Sequence, residues 1–194
     1  MRKTVKKGFA AWEFDEFEKW LNQMADDGWA LISVNTSGRY EFEETEKGEY
    51  KIAMLMLDKK QSKAKNTEQI EFIEQTGSQF IGKIGDWVFF RRKSELGDFE
   101  IYSDNASKIN HLTRILNSYL SIVITSNILI ILNTINCTIN FFNSTDRITK
   151  VITLVGVLGL LVADIVTLFA WGIKGIKKLS KKRKELKQQA TLFE

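Results

Sequence analysis

The sequence predicts an α+β domain followed by a two-helix transmembrane hairpin. Three observations predict it. Helical and strand-like hydrophobic patterns alternate through residues 1–104. Residues 115–142 carry no charge, and residues 151–173 carry only Asp164. Basic residues then collect on the outer flanks of that apolar part, in front of the first stretch and behind the second.

Within the domain, residues 13–26 place Phe14, Phe17, Leu21 and Met24 at i, i+3, i+7 and i+10, the stripe of an amphipathic helix, with Gly28 just past its end. Strand-like runs follow at 30–34, 39–43 and 50–57, separated by turn residues at 35–38 and 44–48. Beyond a polar stretch at 58–66 the order repeats, with a short helix at 67–75 and strand-like runs at 79–84, 87–93 and 99–102. WALISV, GRYEFEE and GEYKIAM are weakly similar to QFIGKI, GDWVFFRR and GDFEIYS, so the domain reads as two helix-plus-three-strand repeats. Each repeat alone leaves a sheet face bare, and the two are expected to pack together. Trp12, Trp20, Trp29 and Trp87 are core residues by default. A cleft lined by Trp20, Trp29 and Trp87 would instead receive an apolar ligand or a peptide partner.

Ser103 or Asp104 is a suitable N-cap for a helix that carries Ile109, Leu112, Ile115 and Leu116 on one stripe into the first span. No Gly or Pro interrupts residues 104–135, so this helix would tether the domain to the membrane, or pass a signal through it. The expected division is a cytoplasmic domain at 1–104, a juxtamembrane and first transmembrane helix at 105–142, and a short external link at 143–150. A second transmembrane helix at 151–173 and a basic cytoplasmic tail at 174–194 complete it. Eight Lys and Arg in that tail, with Arg91, Arg92, Lys93, Lys108 and Arg114 before the first span, place both termini in the cytoplasm of a two-span protein of the cell membrane.

Asp164 is costly at membrane depth unless protonated, paired or wetted. Counting back from the turn puts Ser126 and Asn127 level with it, which predicts a polar contact within the hairpin or between chains; a proton or ion pathway is the sharper alternative. Gly156, Gly159 and Ala163 recur at spacings of three and four, which permits hairpin packing or dimerisation. Lys177, Lys178, Lys181, Lys182, Arg183 and Lys184 are dense enough to lie on anionic headgroups, or serve only to fix topology.

Several function classes are excluded on composition. One His and one Cys make neither a His/Cys zinc site nor an internal disulfide. Residues 1–114 hold 18 basic against 20 acidic residues, so the net charge of +4 comes from the tail, and no nucleic-acid partner is expected. No nucleophile elbow, Walker loop or G-x-G-x-x-G occurs. The glutamates around 41–49 read as a solvated strand face. The expectation is a protein that is not an enzyme, with no catalytic residue, cofactor or metal.

Trp20-Leu21, Met24-Ala25 and Gly28-Trp29, followed by Trp87, Phe89, Phe90 and Arg91, then Ile101-Tyr102-Ser103-Asp104 and Ser107-Lys108, form a combination that resembles the domain-of-unknown-function 2812 family of Gram-positive bacteria. The resemblance covers roughly residues 13–114. This chain has Gly77-Ser78 where such families often show Gly-Trp. The resemblance implies membrane spans after the domain, and a place beside PadR-type transcriptional regulators that suggests a regulated membrane or envelope-stress function. It assigns no catalytic residue. Two function classes follow. One is a regulatory or accessory protein whose cytoplasmic domain binds a membrane or regulatory partner, or a second copy. The other is a membrane-tethered sensor of a lipid or hydrophobic small molecule.

Overall fold

The computed structural model describes residues 1–166 and 172–192. The chain divides into two compact units, Met1–Arg114 with the chain end from Leu186, and Ile115–Glu185.

In the first unit, β1 (Arg2–Lys6) precedes α1 (Phe14–Asp26), β2 (Trp29–Val34), β3 (Arg39–Glu44) and β4 (Tyr50–Met56). Next come α2 (Lys63–Gln75), β5 (Ser78–Ile84) and β6 (Trp87–Lys93). The α–β–β order thus occurs twice, and the strands form two antiparallel sheets, ordered β1-β3-β2 and β4-β6-β5. The fold class is therefore the α+β arrangement expected, with two differences of detail. Residues 99–102 are not a strand. The third strand of the second sheet is β4, which follows the first helix in sequence, and β1 completes the first sheet in its place.

Local chemistry sets the helix ends. Gly28, at φ +88°, donates its N–H to the Ala25 carbonyl and turns the chain out of α1. The Ser62 hydroxyl accepts from the Lys65 N–H, which starts α2 four residues earlier than its hydrophobic pattern suggests. Helix α3 (Asn105–Asn143) is capped by Asp104, whose carboxylate accepts from the Ser107 N–H at 2.7 Å. That bond holds the Asp104 carboxyl below its ordinary range.

The core is layered. Phe17, Leu21 and Ala25 of α1 bury against Leu31, Tyr40 and Phe42 of the first sheet. In the second sheet both faces of β4 and β6 are covered, so Ala53 to Met56 and Trp87 to Phe90 are all buried. One face joins Leu55, Val88 and Phe90 to Leu57 and to Ile73 of α2, with Phe80, Phe99 and Ile101 alongside. The other carries Met54, Phe89, Met56 and Trp87, and Phe89 meets Tyr40 of the first sheet edge to face.

The second unit contains the remainder of α3, then α4 (Arg147–Val166) and most of α5 (Lys174–Leu192). Helices α3 and α4 are both long and apolar enough to cross a membrane. Half-buried positions recur along one stripe of each: Val123, Ser126, Asn127, Ile130, Thr134, Cys137 and Phe141 on α3, and Thr153, Val157, Leu160 and Asp164 on α4. Steps of three and four residues make this a helix–helix seam.

Candidate functional site

Strand β4 lies at the edge of its sheet, so the N–H and C=O groups of Ile52, Met54 and Met56 point away from β6 and need partners. Side chains supply them. The Asn22 amide donates to the Ile52 carbonyl at 2.7 Å and accepts from its N–H at 2.9 Å. The Glu18 carboxylate accepts from the Met54 N–H at 2.8 Å. His111 Nε2 accepts from the Met56 N–H at 2.9 Å, and Arg114 donates to the Met56 carbonyl at 2.7 Å. Helix α1 and the first turns of α3 thus complete an edge that no strand occupies.

Geometry also sets protonation at this edge. An imidazole that accepts through Nε2 must carry its proton on Nδ1 and be neutral. Burial, with the Arg114 guanidinium adding to it, pushes His111 down to about 4. Burial pushes Glu18 up to about 7, against the opposing bond from Met54.

A second constellation joins the two sheets. Arg91 of β6 donates to Glu43 of β3 at 2.8 Å, to the Leu31 carbonyl of β2 at 3.2 Å and to Gln79 of β5 at 2.8 Å, while its guanidinium lies over the Tyr50 ring. Sequence reasoning missed both constellations. Glu18 and Asn22 stand four apart on the polar flank of the α1 stripe, a spacing that says they share a face and nothing about what they meet.

The tryptophans singled out from sequence take separate places in an aromatic network. Trp87 packs on Phe9, Phe14 and His111. Trp20 packs on Phe17, Tyr40 and Phe42 and is covered by Lys7, with the ammonium 4.2 Å from its ring centroid. Trp29 is covered in the same way by Lys3 at 3.9 Å.

In the hairpin, Asp164 is half-buried on the α4 seam, while Ser126 and Asn127 donate back to the Val123 carbonyl of their own helix. Gly156, Gly159 and Ala163 are exposed beside the seam, and a Cβ at either glycine would meet nothing within 4 Å. The close approach these glycines permit is therefore unused among the described residues. An open cleft of about 590 Å³ at the turn end is lined by Cys137, Asn140, Asn143 and Ser144 of the α3 side and by Thr149, Thr153 and Gly156 of α4. On α5, Lys177, Lys178, Lys181 and Lys184 are exposed and Lys182 and Arg183 half-buried. Lys181 lies 3.8 Å from Glu185. Among the described residues no cluster of His, Cys, Asp or Glu is arranged to hold a metal ion.

Compared with known proteins, the chain matches over residues 13–124 the family described as "Protein of unknown function (DUF2812)". No curated protein and no solved structure matches it.

Proposed function

The chain belongs to the DUF2812 family, and we propose that it is a membrane-anchored, non-enzymatic regulatory or accessory protein of a bacterial cell, whose α+β domain is a cytoplasmic interaction module. One observation carries this reading. Helix α3 begins on the domain, where His111 and Arg114 bond to Met56, and runs on without a break as a helix long and apolar enough to span a bilayer. That is the construction of a tether. Basic residues before α3 and throughout α5 support two spans with both termini cytoplasmic. Lys177, Lys178, Lys181, Lys182, Arg183 and Lys184 would then lie at anionic headgroups.

The tryptophans favour an interaction module over a sensor of a small hydrophobic compound. Their rings are spent on packing and on covering lysines rather than on lining a common cleft. On the domain, Phe72 of α2 is 66% exposed, which makes it the residue to substitute in a test of partner binding.

Affinity capture of the tagged full-length protein from gently solubilised native membranes, followed by protein and lipid mass spectrometry, tests the reading. A stoichiometric membrane or regulatory partner that is lost in Phe72→Asp supports it. Recovery of the chain alone with one enriched small molecule or lipid overturns it in favour of the sensor.

A further inference from the structure

We propose that a second copy of this chain packs in the membrane against the face of the hairpin that bears Asn133, Asn136, Asn140 and Gly156. The proposal rests on the reading of α3 and α4 as membrane spans.

Asn133, Asn136, Asn140 and Asn143 follow one another at spacings of three, four and three, so they form a single stripe on α3. All four are exposed. The side-chain amides of Asn136, Asn140 and Asn143 make no hydrogen bond among the described residues, and Asn133 donates only to the Leu129 carbonyl of its own helix. At 1.5 Å of rise per residue, Asn136 and Asn133 lie roughly 10 and 15 Å below Asn143. Water at the turn would satisfy Asn140 and Asn143, which lie nearest to it. Lipid tails offer nothing to the deeper pair, and an amide left unpaired in hydrocarbon is costly.

The cleft at the turn fixes which side of the hairpin this stripe occupies. Asn140 and Asn143 line it from α3, and Gly156 lines it from α4. The asparagine stripe and the exposed glycines therefore share one side, next to the seam. Polar amides and small residues side by side are what close helix packing in a membrane requires.

Chemical complementarity selects a second copy as the occupant. Every copy enters the bilayer with the same topology, so two copies related by a two-fold axis along the membrane normal meet at matched depth. An asparagine amide carries an acceptor and two donors and is its own complement. Each deep asparagine would thus find its partner in the same residue of the other copy. A different membrane protein would have to carry amides at two matched depths to do as well.

Oxidative cross-linking of the full chain in native membranes tests this, in a Cys137→Ser background. Disulfide-linked dimers are expected from Asn136→Cys and Asn140→Cys. Few are expected from Ile131→Cys, which is exposed and roughly 140° away from Asn136 around the helix. Replacing the deep pair together, Asn133→Leu with Asn136→Leu, should lower the Asn140→Cys dimer yield about tenfold. A carbonate wash is run in parallel. Release of the chain by carbonate would sink the membrane reading and this inference with it. Retention with equal linking from both faces, with no dimer, or with adducts to another protein alone, would overturn this inference and leave the membrane reading standing.

Discussion

Glu18 and His111 occupy neighbouring positions on the same strand edge, and their protonation equilibria are displaced in opposite directions. Glu18 titrates near 7 in the native protein against an ordinary 4.5. Between those values the folded chain holds a proton that the unfolded chain has lost, so stability falls as pH rises. His111 titrates near 4 against an ordinary 6.5. Between these values the unfolded chain holds the extra proton, so stability rises with pH. Each displacement, at about 1.4 kcal/mol per pH unit, is worth about 3 kcal/mol. From pH 4.5 to 6.5 the two slopes cancel, and the pair leaves the native protein almost indifferent to pH. Removing either partner uncovers the other. Glu18→Gln should lose about 3 kcal/mol, relative to wild type, as pH falls from 7 to 4.5. His111→Gln should lose about the same, relative to wild type, as pH rises from 4 to 6.5. The assay is urea unfolding of the full chain in detergent micelles, followed by the fluorescence of Trp12, Trp20, Trp29 and Trp87 at several pH values. Wild-type-minus-variant curves cancel the remaining titrating groups. Flat difference curves, or slopes of the same sign for both variants, would refute the reasoning.

Three further outcomes follow from the same contacts. Asn22→Ala strands both backbone groups of Ile52 on the open edge, and the domain should lose about 2–3 kcal/mol in the urea assay. Arg91→Lys keeps the charge but cannot reach Glu43, Gln79 and the Leu31 carbonyl together; it should cost about 2 kcal/mol, and Glu43→Gln made in that background should add little more. Gly82→Ala would set a Cβ 2.8 Å from Val34 Cγ2, where β2 and β5 approach. Its melting temperature should drop by several degrees for a loss of about 1–2 kcal/mol, and Val34→Ala in the same chain should restore most of it.

Hydrophobic spacing made most elements legible. The α1 stripe, the runs that became β2 to β6, and the two helices long and apolar enough to cross a membrane all follow from the spacing of their apolar residues. Strand β1 escaped because RKTVK shows no apolar alternation. It enters the sheet with polar residues opposite one another, Arg2 with Glu43 and Thr4 with Glu41, and with the Lys3 ammonium over the Trp29 ring. Residues 99–102 read as a strand because FEIY alternates like one. The structure leaves them outside both sheets, since β4 already pairs with β6 and its far edge is filled by side chains. Phe99 instead lies under Arg92, and Tyr102 stacks near His111. The edge constellation was illegible for a plain reason. Asn22 meets Ile52, and His111 meets Met56, across long stretches of chain that no local pattern connects. In the hairpin, the small residues that recur at spacings of three and four, Gly156, Gly159 and Ala163, lie beside the half-buried stripe of α4 rather than on it.

The side chains that finish β4 have a consequence for the order in which the domain is made. His111 and Arg114 are synthesised after every strand of the first unit. While the ribosome works through β5 and β6, the Met56 end of β4 stays bare, a short template on which a neighbouring nascent chain could add a strand. The residues that seal it lie immediately ahead of the uncharged stretch of α3. Completion of the domain and delivery of the first apolar segment are therefore consecutive events on the growing chain, and whatever delays one prolongs the exposure of the other.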